Sequence, residues 1–147
     1  MDTRGAFEEE EYRERAEFYR ALHEFLRRAD ERARKQGLTS QQFVLMLAVR
    51  GHGKYPAVSI SNISDSLKLQ QSSTSLLVER CVKRGLVWRT EDPTDRRRAL
   101  VRLSDDGQAL LDDIMEANRR DLGRLESSLF SAALQDVIKP DEDEVPA

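Results

Sequence analysis

The apolar pattern changes period once along this chain. "LVWRTE" and "RALVRLS", between Leu86 and Ser104, read as two strands joined by "DPTDRR"; in the second, Ala99, Val101 and Leu103 alternate against Leu100 and Arg102. The other long apolar patterns step by three and four, the helical spacing. One hairpin among helices makes the fold class mainly α with a small antiparallel β-hairpin (α+β). Composition agrees: 35% of residues are charged and only 6% aromatic, which favours helices with solvated faces over a β-sandwich. At 147 residues and 39% hydrophobic, the chain suffices for one packed domain, expected over 8–138.

The helices can be placed one by one. Over 8–36, Tyr12, Ala16, Tyr19, Leu22, Leu26, Ala29 and Ala33 form a stripe that Phe18 and Phe25 widen, and Gly37 supplies a stop. Thr39 and Gln42 make a capping box for a second helix, whose Phe43, Leu45, Met46, Leu47 and Val49 point to burial; Gly51 closes it. A loop, "HGKYPAV", leads through a short extended piece at 57–59 into a third helix carrying Ile60, Ile63 and Leu67. After a tight turn comes a fourth. Its inner stripe is Leu77, Val78, Cys81 and Val82, and its opening face is small and polar, from Gln70 to Ser75. Ser104 caps a fifth helix with Asp105 and Asp106 at its positive end; Leu111, Ile114, Met115, Leu122, Leu125 and Leu129 continue its stripe. A last helical piece is expected at 131–138, before an acidic, disordered tail at 139–147.

Helix, extended piece, helix, tight turn, helix, hairpin is the order of a winged helix-turn-helix, here spanning about 38–104. Its charge is distributed to match. Net charge is -3, yet from Arg80 to Arg102 eight basic residues face only Glu91, Asp92 and Asp95. Local clustering of this kind is the footprint of a nucleic-acid surface. A helix start with small polar side chains can press against base edges in a major groove. The hairpin tip beside it can send arginine into a narrow minor groove. Expected DNA contacts are therefore Gln71, Ser72, Ser73 and Ser75 on the helix; Arg97 in the minor groove; Arg80, Arg96 and Arg98 on phosphates; and Thr39 at the second helix's start. Asp95 and Arg97 are two apart on an extended limb, so the carboxylate is expected to orient the guanidinium, with Arg96 and Arg98 pointing to the other side.

The stretch "LVERCVKRGLVWRTEDPTDRRRALVRLSDDG" resembles the MarR (multiple antibiotic resistance regulator) family pattern of recognition-helix end, Gly, strand, Asp-x-Arg wing, strand and Leu-Ser/Thr-x-x-Gly. The Asp-x-Arg element falls on Asp95 and Arg97, the final glycine on Gly107, and the likeness covers roughly residues 10–138. It implies a sequence-specific transcriptional regulator, most often a repressor. It implies a homodimer paired through helices at about 8–36 and 105–138, a pseudo-palindromic operator in double-stranded DNA, and release by a small aromatic or phenolic effector. Leu76 stands where many relatives carry an arginine.

Several residues have two readings. Tyr12, Phe18, Tyr19 and Phe25 line either an effector pocket or the dimer core, and Trp88 either packs the hairpin or stacks on a ligand. Asn118 interrupts the fifth helix's stripe, as a bond across the dimer or as an exposed residue. Cys81, on an inner stripe, is a small core hydrophobe rather than a redox sensor. His23 and His52 lack clustered partners, so no metal is expected, nor any cofactor. No catalytic constellation points to an enzyme. A membrane span of about 20 apolar residues is missing, and the first residues lack a signal peptide's apolar stretch, so the cytoplasm is expected. The rival function is a winged helix that binds protein, its basic wing meeting an acidic partner.

Overall fold

The computed structural model describes residues 5–129, in the order α1 (Glu9–Lys35), α2 (Ser40–Arg50), β1 (Val58–Ser59), α3 (Ile60–Leu67), α4 (Gln71–Lys83), β2 (Val87–Glu91), β3 (Ala99–Leu103) and α5 (Asp105–Leu129). The expected helix at 131–138 and the acidic tail lie outside the described residues. The described chain forms two compact units. One is Ala29–Ala117; the other combines residues 5–28 with 118–129.

Local chemistry sets the boundaries inside Ala29–Ala117. Gly37 takes φ +78°, and the Leu38 N–H returns to the Ala33 carbonyl at 2.9 Å, which ends α1. Thr39 and Gln42 complete the expected capping box at the start of α2. A second box was not anticipated: Ser59 and Asn62 do the same for α3. Asparagine substitutes here for the usual Glu or Gln. Lys68 then turns the chain in a left-handed conformation at φ 56°, and the Leu69 N–H reaches back to the Ser64 carbonyl at 3.1 Å. Gly85, at φ +70°, separates α4 from β2.

The sheet has three strands rather than two, in the order β1-β3-β2, all antiparallel. Val58 pairs with Val101, while Val87 through Glu91 run against Leu103 through Ala99. Leu45, Met46 and Val49 of α2, Ile63 of α3, Leu77, Val78 and Cys81 of α4, Val58, Val87 and Val101 of the sheet, and Leu111 and Ile114 of α5 fill one core.

Two positions on α4 differ from expectation. Val82 is 37% exposed, whereas Thr74, assigned to the polar face, is fully buried. The inner face is thus Thr74, Leu77, Val78 and Cys81, a run of i, i+3, i+4 and i+7. Thr74 is tolerated there because its hydroxyl is satisfied. It accepts from the Ser64 hydroxyl at 2.9 Å and donates to the Gln70 carbonyl at 3.0 Å. On α2, Leu47 also remains exposed.

In the other unit, α1 exposes Tyr12, Tyr19 and Leu26, and α5 exposes Leu122. Phe18 is half-buried and meets Tyr19 edge-on, with ring centroids 6.0 Å apart. Asn118 is buried, which removes the exposed reading of that residue. Arg28 and the buried Asp121 pair at 3.2 Å. Glu24, bonded by Arg27 and Arg28, is held down to a pKa of about 2.

Candidate nucleic-acid interface

The first turns of α3 and α4 and the wing, β2 and β3 with their connecting tip, enclose a cleft of about 340 Å³. Gln71, Ser72 and Ser75 of α4 line it, with Arg97, Arg98 and Ala99 of the wing. Four further lining residues were not foreseen: Ser59, Ile60 and Ser61 beside α4, and Arg89 on β2. Arg89 belongs to the basic stretch in the sequence, but residue spacing does not reveal that β2 borders α4. Among the described residues, the lining holds three arginines and no carboxylate. A concave surface of one sign concentrates counter-charge.

The start of α4 is built differently from the other helices of its unit. α2 and α3 are closed by capping boxes, and Ser104 Oγ caps α5 by accepting the Gly107 N–H at 2.9 Å. Gln70 at the α4 N-cap makes no side-chain bond, and no acid occupies the first turn. The leading N–H groups of α4 therefore have no side-chain cap, and the positive end of its dipole is unneutralised, at a helix start whose Gln71 and Ser72 line the cleft. Phosphate oxygens are the natural complement of such a helix end.

The wing tip is a pair of tight turns rather than an extended limb. Asp92 Oδ1 accepts from the Thr94 N–H at 2.9 Å and from its hydroxyl at 2.8 Å. These bonds hold the Asp92 carboxyl below its usual pKa. Asp95 Oδ1 accepts the Arg97 N–H at 3.0 Å, and the Arg98 N–H closes onto the Asp95 carbonyl at 3.0 Å. The expected grip of Asp95 on the Arg97 guanidinium is thus replaced by a bond to its backbone. The alternation rule of strands also lapses in a turn, so Arg97 and Arg98 both line the cleft instead of pointing to opposite sides.

The remaining expected contacts lie outside the cleft lining. Thr39 spends its hydroxyl on the α2 cap, accepting the Gln42 N–H at 3.2 Å. Ser73 and Arg96 are exposed, and Arg80 stands in the last turn of α4, far from the helix start. Trp88 is 56% exposed on β2, so it does not serve as hairpin packing. It belongs to a different unit from Tyr12, Phe18 and Tyr19. Cys81 is fully buried and its thiol is pushed up to about 11 by burial, the opposite of a reactive thiolate. No group of three or more potential metal-ligating residues occurs among the described residues, and no described helix is long and apolar enough to cross a membrane.

Comparison with known proteins places this geometry. Residues 36–98, from the α1 stop to the wing tip, match the MarR family. The winged helix of this chain is similar to the MarR family over that stretch. The MarR-family match agrees with the sequence pattern, and it covers every cleft-lining residue named above except Ala99. The chain is similar to the HTH-type transcriptional repressor NicR of Pseudomonas putida, at 39% identity over 56% of this chain and 51% of that protein. It is also similar to the HTH-type transcriptional repressor MdtR of Bacillus subtilis, at 25% identity over 67% of this chain and 62% of that one. The chain therefore spans only about half to three fifths of the length of these relatives. In fold it matches a crystal structure of the S. aureus MepR–DNA complex with a TM-score of 0.69 and 19% identity, covering 90% of this chain and 92% of that one. A mutant of E. coli MarR complexed with operator DNA matches with a TM-score of 0.66 and 18% identity, over 81% and 84% of the two chains.

Proposed function

We propose that this chain is a MarR-family, sequence-specific DNA-binding transcriptional regulator that acts as a homodimeric repressor. The observation that carries the reading is the carboxylate-free cleft, where three arginines flank the uncapped start of α4. The α4 start enters the major groove with Gln71, Ser72, Ser73 and Ser75. Arg97 reaches the adjacent minor groove from the wing tip. Arg89 and Arg98 meet phosphates from inside the cleft, and Arg80, Arg96 and Thr39 meet backbone at its margins. Asp95 acts by holding the turn that presents Arg97. The names of the relatives, both transcriptional repressors, support repression.

Dimerisation is supported by the apolar side chains that α1 leaves in water, Tyr12, Tyr19 and Leu26. This favours the pairing role over the effector role for Tyr12 and Tyr19. A two-fold dimer would place its two α4 helices on a pseudo-palindromic operator. An aromatic or phenolic effector, touching Phe18 or Trp88, would release it.

The test is fluorescence anisotropy with duplexes flanking the protein's own gene, at near-physiological salt and with random competitor. Nanomolar, competitor-resistant binding is expected, and Arg97→Ala is expected to weaken it by about 1–3 kcal/mol. Micromolar binding erased by competitor, together with capture of an acidic protein, would replace this reading by the protein-binding one.

A further inference from the structure

Gln71 is the first residue of α4, and its side chain is not loose. Its Nε2 donates to Ser61 Oγ at 2.8 Å, joining the opening residue of α4 to the first turn of α3. Ser61 is itself held in place, since the Ser59–Asn62 box fixes the turn that carries it. The bond is exposed in the free protein, where water competes with it, so its effect is orientation rather than stability. It removes part of the rotamer freedom that a glutamine would otherwise lose on docking.

The bond also decides what the amide still offers. One N–H is used on Ser61. A second N–H and the carbonyl oxygen remain, a donor beside an acceptor. In the major groove, adenine presents the complement, with N7 as acceptor and the N6 amino group as donor. Guanine presents two acceptors there, so the amide oxygen would face O6 unfavourably. Cytosine and thymine offer no matching donor–acceptor pair on one edge. Residues at the start of a recognition helix are the ones that meet base edges.

We propose that Gln71 reads an adenine in each half-site, and that Ser61 is the positioning residue that orients it. This rests on the DNA-binding reading above. It places α3, otherwise a supporting helix, in the machinery of base discrimination.

Selection from a randomised duplex pool tests it with wild type, Gln71→Ala, Ser61→Ala and Ser61→Thr. Wild type is expected to select adenine at one position of each half-site. Gln71→Ala should lose that preference, roughly 5- to 150-fold in discrimination, while keeping the rest of its consensus. Ser61→Ala should weaken the same position and no other, and Ser61→Thr, which keeps a hydroxyl, should restore it. Thermal melting should be unchanged in all four, which separates positioning from folding. Replacing the selected adenine by 7-deazaadenine should weaken wild type and leave Gln71→Ala unaffected. A wild-type consensus that Gln71→Ala reproduces, or that has guanine at the affected position, overturns the inference and leaves the proposed function standing. Ser61→Ala with wild-type selectivity removes the positioning role. A wild type that selects no sequence overturns both this inference and the function on which it rests.

Discussion

Gly107 shows how much a single position can fix. A Cβ added there would fall 2.0 Å from the Leu86 carbonyl oxygen and 2.9 Å from its carbonyl carbon. That carbonyl also accepts the Ser104 N–H at 3.0 Å, so it cannot retreat without losing the bond that seats α5. Gly107→Ala is expected to cost about 3 kcal/mol or more in urea unfolding, the upper range for overpacking. At Gly123, also on α5, an added Cβ meets nothing within 4 Å. Alanine there should stabilise by about 0.5–1 kcal/mol through helix propensity. Cys81 yields a prediction in pH. Burial raises its thiol from 9.0 to about 11, so the folded state resists the thiolate. Its contribution is fully present below pH 9 and is lost as pH rises towards 11. Stability should therefore fall across that window, and Cys81→Ala should lose part of the fall in parallel urea titrations. Sequence located Gly107 by its place in a pattern, but the backbone contact that demands it is visible only in three dimensions.

At the scale of elements, the hydroxyl chain from Ser64 through Thr74 to the Gln70 carbonyl ties α3 to α4 inside the core. Thr74→Val keeps the shape but leaves the Ser64 hydroxyl facing a methyl group. It should cost about 1–3 kcal/mol, whereas Thr74→Ser, which keeps the bond, should cost less; thermal unfolding of both variants checks this. Helix limits were legible because they are written in local chemistry: Gly37, the Thr39–Gln42 box and Ser104 each act within a few residues. Thr74 was misplaced because residue type was weighed above spacing, although it stands three residues before Leu77 and seven before Cys81. The two-residue β1 lacks enough length for a period, and its pairing with β3 depends on residues some forty positions away. The wing tip failed for a third reason. Consecutive aspartate-headed turns interrupt the strand, and an alternation rule carried through them aims the arginines wrongly.

For the whole molecule, the charge pattern predicts behaviour that net charge hides. A chain of net charge -3 should bind DNA with a steep negative slope of log K against log salt, because the cleft and wing carry the cations. Arg97→Ala should make that slope shallower by about one unit if its guanidinium meets a phosphate, and should leave it nearly unchanged if it meets only base edges. Titrations across a range of salt concentrations distinguish the two. Composition and periodicity were enough to give the winged helix and its basic stretch. They could not assemble the cleft, since Ser61, Gln71, Arg89 and Arg97 lie on four segments that only folding brings together.

The bare start of α4 carries one last consequence. A helix without a side-chain cap is expected to fray, so the first amides of α4 should exchange protons with solvent faster than those of the capped α2 and α3. A bound phosphate would take the place that a serine or aspartate fills elsewhere. On the proposed function, the operator would then complete the fold of α4, and slowed exchange at Ser72 and Ser73 would mark the moment of docking.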